Sequence, residues 1–335
     1  MRVLIILFVV LFQAFSGNAK NIFVTNKSQL LAAFQNAKSG DVILISNSSK
    51  IDLSGEKNIV VNSGITIKAQ NSTGLKPLIH TELNGTKPLF KIVGSNVCFS
   101  GLRIQGPDGS VYSGEDAFKN KSKSQIEKNR NVYYKQNMYK VPVSNAFSIG
   151  SSSVIIENCE LFNWPFAAIY VGNNSNNVKI INNFIHHNQR FGLGYGVQVD
   201  GGEALIEGNK FSTNGHSVAC TGKVGSKYIV KNNEFRNDRN NSWSVDVHGG
   251  VDRKDNSNWA GTRFLVTNND FYISGTTRAF AIRGEPVEYA KVENNRVFVC
   301  KNNAKSLPYY FVQWNSKRKF STSNNKLIFS NELCN

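Results

Sequence analysis

Four of the five histidines lie between positions 186 and 248 of the 335-residue chain, with arginines and a tyrosine among them. The segment "HHNQRFGLGYGVQVDGG" (186–202) alone contains two histidines, Arg190 and Tyr195. Histidine and tyrosine can transfer protons, and a guanidinium group can bind a carboxylate through two parallel hydrogen bonds. These residue types indicate acid–base chemistry on an acidic substrate, provided that the fold brings the side chains together.

An internal repeat indicates which elements must position them. Six segments share a pattern of apolar residues, a polar pair and a further apolar run: "VIIENCEL", "VKIINNFI", "ALIEGNKF", "YIVKNNEF", "FLVTNNDF" and "AKVENNRV". The recurring asparagines are Asn158, Asn183, Asn209, Asn233, Asn269 and Asn295, spaced 25, 26, 24, 36 and 26 residues apart. A period near 25 with short β-rich runs predicts a parallel β-solenoid, in which each coil stacks on the last. Asparagine tolerates a left-handed turn, and its amide can bond to the next coil.

These repeats resemble those of the right-handed parallel β-helix proteins of the pectate-lyase-like group, over nearly the whole chain after residue 19. The resemblance implies an all-β, single-domain right-handed parallel β-helix (solenoid) with a short N-terminal capping helix. The segment "SQLLAAFQNAKSGDVILI" supports the helix, with Ser28 as predicted N-cap and Gly40 before the next strand. We expect a signal peptide at 1–19 and a β-helix domain at 20–335. Within that domain we expect an N-terminal cap (20–40), a basic loop insertion (107–144), a second loop insertion (249–262) and a C-terminal cap (316–335).

The second strands of the repeats align without gaps as "AAIYVG", "YGVQVD", "HSVACT", "WSVDVH" and "RAFAIR". Period-two alternation then predicts two buried columns, one of which contains Ile169, Val197, Val218, Val245 and Phe280. Strict alternation would also turn the first residue of each strand inward. Because Tyr195, His216 and Arg278 are poor core residues beside a turn, we predict that this column is exposed. We expect the four clustered histidines to line one face of the solenoid.

Residue types on this face suggest roles for eleven side chains. The predicted catalytic residues are Tyr195, His216, Arg190, His187, His248 and Arg283. The predicted substrate-binding residues are Gln189, Gln198, Asp246, Trp243 and Arg278. Tyr195 and His216, adjacent in the alignment, lead for proton transfer, with His187 and His248 as competitors. Arg190 and Arg283 can offer forked donors to a carboxylate.

The formal net charge of +16 favours an anionic partner. We find no helix-turn-helix spacing, zinc finger or RNA-binding aromatic motif, so an acidic polysaccharide is expected and nucleic acid is not. The leading hypothesis is a polysaccharide lyase that cleaves a uronate-containing polymer by β-elimination. The alternatives are a C5-epimerase of such a polymer and a non-catalytic glycan-binding or adhesin-like solenoid. The "GHG" pattern of polygalacturonases and the "RxPxxR" motif of the main pectate lyases are both missing from the sequence.

The resemblance implies that either calcium or a protein cation neutralises the substrate carboxylate. Only Asp200 and Asp246 are outward acidic residues on the aligned strands, too few to indicate a tight calcium cage. We therefore expect no cofactor, with calcium as an alternative, and predict no metal-ligating residues.

The N-terminus predicts secretion. Arg2 precedes the apolar run "VLIILFVVLF", which is too short to span a membrane, and "GNA" follows at 17–19. We therefore expect a secreted or periplasmic bacterial protein that is monomeric and has no membrane partner. Five cysteines cannot all pair with one another within one chain. Cys300 and Cys334 could form a disulfide, and buried free thiols are expected at Cys98 and Cys220.

Overall fold

The computed structural model describes residues 19–82, 88–107, 144–190, 192–237, 243–274 and 277–334, together with Ser122 and Ser124. The predicted signal peptide, except for Ala19, and nearly all of the predicted basic insertion at 107–144 lie outside these residues.

Short strands make up most of the described chain. In chain order they are β1 (Asn21–Val24), β2 (Val42–Ile45), β3 (Lys50–Asp52), β4 (Ile59–Val61), β5 (Thr66–Ala69), β6 (Leu78–His80), β7 (Phe90–Ile92), β8 (Cys98–Ser100), β9 (Arg103–Gln105), β10 (Asn145–Ile149), β11 (Ile155–Glu157), β12 (Glu160–Phe162), β13 (Ala167–Val171), β14 (Val178–Ile181), β15 (Phe184–His186), β16 (Tyr195–Val199), β17 (Glu203–Glu207), β18 (Lys210–Ser212), β19 (His216–Cys220), β20 (Lys227–Lys231), β21 (Glu234–Asn237), β22 (Trp243–Val247), β23 (Arg263–Thr267), β24 (Asp270–Ile273), β25 (Arg278–Ile282), β26 (Tyr289–Glu293), β27 (Arg296–Val299), β28 (Phe311–Gln313), β29 (Phe320–Ser323) and β30 (Lys326–Phe329). The helical segments are α1 (Lys27–Asn36), two one-turn helices at Gly250–Arg253 and Leu307–Tyr310, and 3₁₀ turns at Lys301–Asn303 and Asn331–Leu333.

The strands form three parallel sheets, and each coil contributes one strand to each sheet. Sheet A has the order β1-β2-β5-β8-β11-β14-β17-β20-β23-β26-β29, sheet B the order β3-β6-β9-β12-β15-β18-β21-β24-β27-β30, and sheet C the order β4-β7-β10-β13-β16-β19-β22-β25-β28. From β2 onward, strands that are three apart in chain order are hydrogen-bonded neighbours, which confirms the predicted all-β parallel β-helix.

The core lies between the three sheets and follows the predicted alternation. Strand β17, "EALIE", buries its second and fourth residues and leaves the glutamates partly exposed. In sheet C the register pairs Ile169 with Val197 and Val197 with Val218, as the alignment predicts, and all three side chains are fully buried. Each such side chain contributes about 1.5–3 kcal/mol of hydrophobic stabilisation.

Helix α1 packs against the first coils. Its N-cap is Asn26, whose side chain accepts a hydrogen bond from the Gln29 amide at 3.0 Å; the predicted N-cap, Ser28, instead donates to the Asn26 side chain. The buried face of the helix includes Phe34, whose ring lies 5.6 Å from that of Phe90 in the core. The helix therefore carries apolar side chains into the first coils of the solenoid.

A ladder of buried asparagines joins successive coils between sheets A and B. Each Nδ2 donates to the Oδ1 of the next member at 2.9–3.0 Å, through Asn183, Asn209, Asn233, Asn269, Asn295 and Asn325. Asn158 is a correction to the predicted set, since it precedes the ladder position, which Cys159 occupies and where the Cys159 amide donates to Asn183. The sequence predicts that one asparagine both adopts the left-handed turn and bonds to the next coil, but neighbouring residues do this in the structure. Left-handed backbone occurs at Asn182 and Asn232, each just before a ladder asparagine.

The last coil is covalently closed. A disulfide joins Cys300, which follows β27, to Cys334, the C-cap of the final 3₁₀ turn. Of the other three cysteines, Cys159 and Cys220 are buried thiols, and burial raises the pKa of each to about 12. Cys98 is a partly buried thiol, so the expected free thiols are present at Cys98 and Cys220.

Candidate functional site

At the start of the sheet C strands, the alternation of inward and outward side chains is interrupted. Tyr195 packs in a small cluster with Ala167 and Ala219 that is separate from the solenoid core. The next residue points inward instead: a Cβ atom on Gly196 would lie 3.2 Å from side-chain atoms of Ile185 and Phe211. Small residues therefore occupy this second position. Because the second and third residues both point inward, the first residue of each strand points outward.

Asp246 on β22 is the centre of this outer face. Its side chain is 0% exposed, and both of its oxygens accept hydrogen bonds from Arg283. His248 Nε2 lies 3.0 Å from Asp246 Oδ2, and His216 Nε2 lies 3.8 Å from the same oxygen. Burial raises the pKa of Asp246, but the His248 hydrogen bond and the nearby positive charges outweigh this effect and lower it to about 2. Asp246 is therefore a fixed negative charge beside two imidazoles.

His216 on β19 has the geometry of a general base. Its Nδ1 lies 2.9 Å from the carbonyl oxygen of Trp243, which can only accept, and 3.3 Å from the amide nitrogen of the same residue. In the tautomer that donates from Nδ1 to this carbonyl, Nε2 is unprotonated and faces Asp246. Burial lowers the pKa of His216, and the Asp246 charge opposes only part of that effect. At neutral pH the ring is therefore neutral and able to accept a proton.

Tyr195 stacks on His216, one coil away. The ring centroids are 5.7 Å apart with an interplanar angle of 19°. Tyr195 is only 6% exposed, and its hydroxyl donates a long hydrogen bond of 3.4 Å to the Gly192 carbonyl. The register pairs the two residues directly, as the alignment predicts.

Arg283 is a correction to the predicted set. It was expected to offer forked donors to a substrate carboxylate, but its guanidinium already donates to Asp246 and, through Nη1 at 3.0 Å, to Asp252. The same group lies over the Trp243 ring, with Cζ 4.7 Å from the ring centroid. Because two aspartates neutralise it, Arg283 acts in this arrangement as a structural cation that holds Asp246 in place.

Gln198 on β16 and Asp200, which directly follows that strand, extend the outer face to the coil before β19. Asp200 accepts hydrogen bonds from Tyr170, from Thr221 at 2.6 Å and from Lys223 at 3.0 Å. Burial raises the pKa of Asp200, and these hydrogen bonds more than offset it, so the pKa is lowered. Gln198 is buried beside this group, and within the described parts of the chain its Oε1 has no hydrogen-bond partner.

The predicted residues of 186–190 lie away from this centre. His186 ends β15 in sheet B, where its Nε2 lies 3.2 Å from Glu160; its Nδ1 lies 2.7 Å from Nδ1 of His187. The expectation that four histidines share one face is therefore wrong, because β15 belongs to a different sheet from β19 and β22.

Two further predicted residues of this turn are bonded to or enclosed by the protein itself. Gln189 donates to the Thr213 carbonyl at 2.8 Å, within the turns between sheets B and C. Arg190 is 1% exposed, so its guanidinium cannot meet a substrate carboxylate in this conformation.

Three further residues of the face, Trp314, Tyr309 and Asp252, are not among those predicted from the sequence. Trp314 lies 5.1 Å from the Trp243 ring, and Tyr309 follows Arg278 in the first column. Extending the alignment by one coil, to "YYFVQW" at 309–314, would have found both, since β28 pairs in register with β25. Asp252 belongs to the insertion after β22. Because this insertion has no counterpart in the other coils, the repeat could not predict the position of Asp252.

The described side chains include no group of three or more histidines, cysteines, aspartates or glutamates that could hold a metal ion. No helix in the described ranges is long and apolar enough to cross a membrane.

Comparison with known proteins concerns the fold. A family model described as "Right handed beta helix region" matches residues 134–332. An alginate lyase from Paenibacillus sp. str. FPU-7 is similar in structure, with a TM-score of 0.62 and 15% sequence identity over 93% of this chain and 98% of that one. A hyperthermoactive exopolygalacturonase from Thermotoga maritima has a TM-score of 0.57 and 13% identity, covering 90% of this chain and 77% of the other.

A pectate lyase is also similar, with a TM-score of 0.56 and 13% identity over 93% of this chain and 78% of that one. No curated protein sequence matches the chain. Identities this low show a common fold of the pectate-lyase-like type and do not transfer an activity.

Proposed function

The chain belongs to the right-handed β-helix family, and from that premise we propose that it is a secreted, monomeric polysaccharide lyase that cleaves an acidic, uronate-containing polymer by β-elimination. The observation that carries the proposal is His216, a partly exposed imidazole on the outer face of sheet C that burial keeps neutral beside a buried carboxylate.

The chemistry requires one base and one acid. The base removes the C5 proton, the electrons of that C–H bond form a C4=C5 double bond, and the C4–O bond breaks as the leaving oxygen gains a proton from the acid. In our proposal His216 Nε2 is the base, and Asp246, 3.8 Å away, stabilises the imidazolium that forms. Tyr195, stacked on His216, is the candidate acid for the leaving oxygen.

The surroundings of His216 suit a sugar polymer. Rings on this face form a continuous series with centroid separations of 5.1–6.3 Å: Tyr170, Phe166, Tyr195, His216, Trp243 and Trp314. Aromatic faces of this kind combine a large apolar area with polar edges, which sugars can contact through their C–H groups. The basic balance of the chain, +16 in formal charge, favours an acidic polymer over a neutral one.

A panel of polymers tests the proposal. The mature protein is incubated with alginate, pectate, glucuronan and glycosaminoglycans while the ultraviolet absorbance of the unsaturated product is followed, with and without added calcium. We expect absorbance to rise on at least one polymer without calcium, and His216→Asn to abolish most of that rise. Binding without any absorbance on any polymer would overturn the lyase proposal and favour a glycan-binding solenoid.

The same panel in deuterated water separates a lyase from a C5-epimerase. An epimerase removes the same proton but reprotonates C5 instead of expelling the 4-oxygen. Solvent deuterium at C5 of an uncleaved polymer, without ultraviolet absorbance, would therefore assign epimerisation to the same residues.

A further inference from the structure

A second group of side chains lies on the outer face of sheet C, two coils beyond His216. Arg278 on β25 pairs in register with Trp243, which in turn follows His216 in the first column. The Arg278 guanidinium lies between two rings, with Cζ 4.5 Å from the centroid of Tyr309 and 5.2 Å from that of Trp314. Its Nε donates to the Tyr309 carbonyl at 3.1 Å, which fixes the plane of the group.

No described carboxylate neutralises the charge of Arg278. Within the described residues no carboxylate lies within 4.0 Å of its guanidinium, and neither Nη atom makes a hydrogen bond. Arg283, which directly follows the other end of β25, is by contrast bound by two aspartates. The guanidinium of Arg278 therefore presents its two Nη atoms, already oriented, as donors to an external anion.

We propose that Arg278, with the rings of Tyr309 and Trp314 beside it, is a subsite for the carboxylate of a uronate residue, separate from the place of proton transfer. The proposal rests on the proposed function for the identity of the polymer. A planar guanidinium binds a carboxylate through two parallel hydrogen bonds, and the neighbouring rings offer apolar surface to the same sugar. Of the other two arginines predicted for the site, Arg283 is paired with two aspartates and Arg190 is enclosed in a turn.

The spacing defines which sugar is held. Strands in adjacent coils lie about 4.8 Å apart, so the backbone of Arg278 lies about 10 Å from that of His216 along the solenoid axis. That distance exceeds the breadth of one sugar ring, so the residue bound at Arg278 is not the one whose C5 proton is removed. The polymer must then run along the axis of the solenoid, crossing β19, β22 and β25 in turn.

Binding of short oligomers tests the subsite without requiring turnover. Tryptophan fluorescence, to which Trp243 and Trp314 contribute, is titrated with uronate oligosaccharides and with the same oligosaccharides after reduction of their carboxyl groups to alcohols. We expect the wild-type protein to bind the acidic oligosaccharides at least tenfold more tightly than the reduced ones. Arg278→Gln should abolish that difference, and Arg278→Lys should retain only part of it because the forked geometry is lost.

Arg296→Gln is the matched control, since this arginine lies on sheet B and is paired with Asp270; its binding should equal that of the wild type. Arg278→Met retains the apolar stem between the two rings and replaces Arg278→Gln if the latter is unfolded by circular dichroism. Unchanged affinity for acidic oligosaccharides in the folded Gln or Met variant would overturn the subsite, as would equal affinity of the wild type for both kinds of oligosaccharide.

Failure of the subsite and failure of the lyase give different results. If the wild-type protein binds acidic oligosaccharides through Arg278 but cleaves no polymer, the subsite is supported and the lyase proposal is overturned. If the wild-type protein cleaves a polymer and Arg278→Gln binds acidic oligosaccharides normally, the lyase proposal is supported and the subsite is overturned.

Discussion

At the scale of single residues, Asp246 organises the proposed site. A carboxylate buried without partners would cost several kcal/mol, and here Arg283 and His248 supply the compensating hydrogen bonds. His216 contacts the same carboxylate more loosely, at 3.8 Å, so it can change protonation state without breaking the central ion pair.

Replacing His216 by Asn should remove the base while keeping a hydrogen-bonding side chain of moderate size. We expect the rate of product formation to fall by about 10²–10⁴, since a positioned general base contributes about that factor. Initial rates from ultraviolet absorbance measure the effect, and Lys210→Gln on the exposed side of β18 serves as the unaffected control. A loss of less than tenfold would remove His216 from the mechanism.

Asp246→Asn should shift the pH profile. Because the Asp246 charge raises the pKa of His216, its removal should lower that pKa further and move the acid limb of kcat/KM to lower pH. The plateau rate should also fall, since the imidazolium loses its counter-charge. An unmoved acid limb in a variant shown to be folded would contradict the proposed coupling.

Contacts between residues could be predicted from the sequence where they follow from the register of adjacent coils. Tyr195 and His216 were paired from the alignment because adjacent coils repeat in register. The pairing of Arg283 was missed because its second partner, Asp252, belongs to an insertion without a repeat.

At the scale of elements, the asparagine ladder ties each coil to the next. Asn233 donates to Asn269 and to the Ile206 carbonyl, and accepts from the backbone and the side-chain amide of Asn209. Its side chain is buried, so any partner left unpaired would have no water to bond. The ladder thereby fixes the turns between sheets A and B at one repeating geometry.

Asn233→Ala should lower the free energy of unfolding by about 1–3 kcal/mol, because it leaves buried donors and acceptors unsatisfied. Asn325, the last member of the ladder, is only partly buried, so Asn325→Ala should cost less. Thermal or denaturant unfolding followed by circular dichroism compares the two variants. Equal losses would show that burial does not determine the cost.

At the scale of the whole molecule, stability comes from a linear stack of coils. Each coil contacts the coils next to it, so the ends of the stack have neighbours on one side only. Helix α1 packs into the core at one end, and the Cys300–Cys334 disulfide closes the last coil at the other.

Replacing Cys300 and Cys334 together by Ser should loosen the last coil first. A closed loop spanning 34 residues stabilises the folded state by at most about 4 kcal/mol in the chain-entropy treatment. We expect faster hydrogen exchange in β29 and β30 and unchanged exchange in β10 and β13, which lie several coils away. Uniformly faster exchange along the whole chain would contradict this local effect.

The sequence by itself determined the solenoid, its core columns and the proximity of Tyr195 to His216, because these follow from a repeat and a strand alternation that are local regularities. Only the tertiary structure decided which charges remain free to bind a substrate. Arg190 is enclosed in a turn, Asp252 reaches Arg283 from an insertion, and Arg278 has no acidic partner among the residues that the structure describes. Turns and insertions have no period, so the approach of their charged groups to the coils depends on the folded path of the chain.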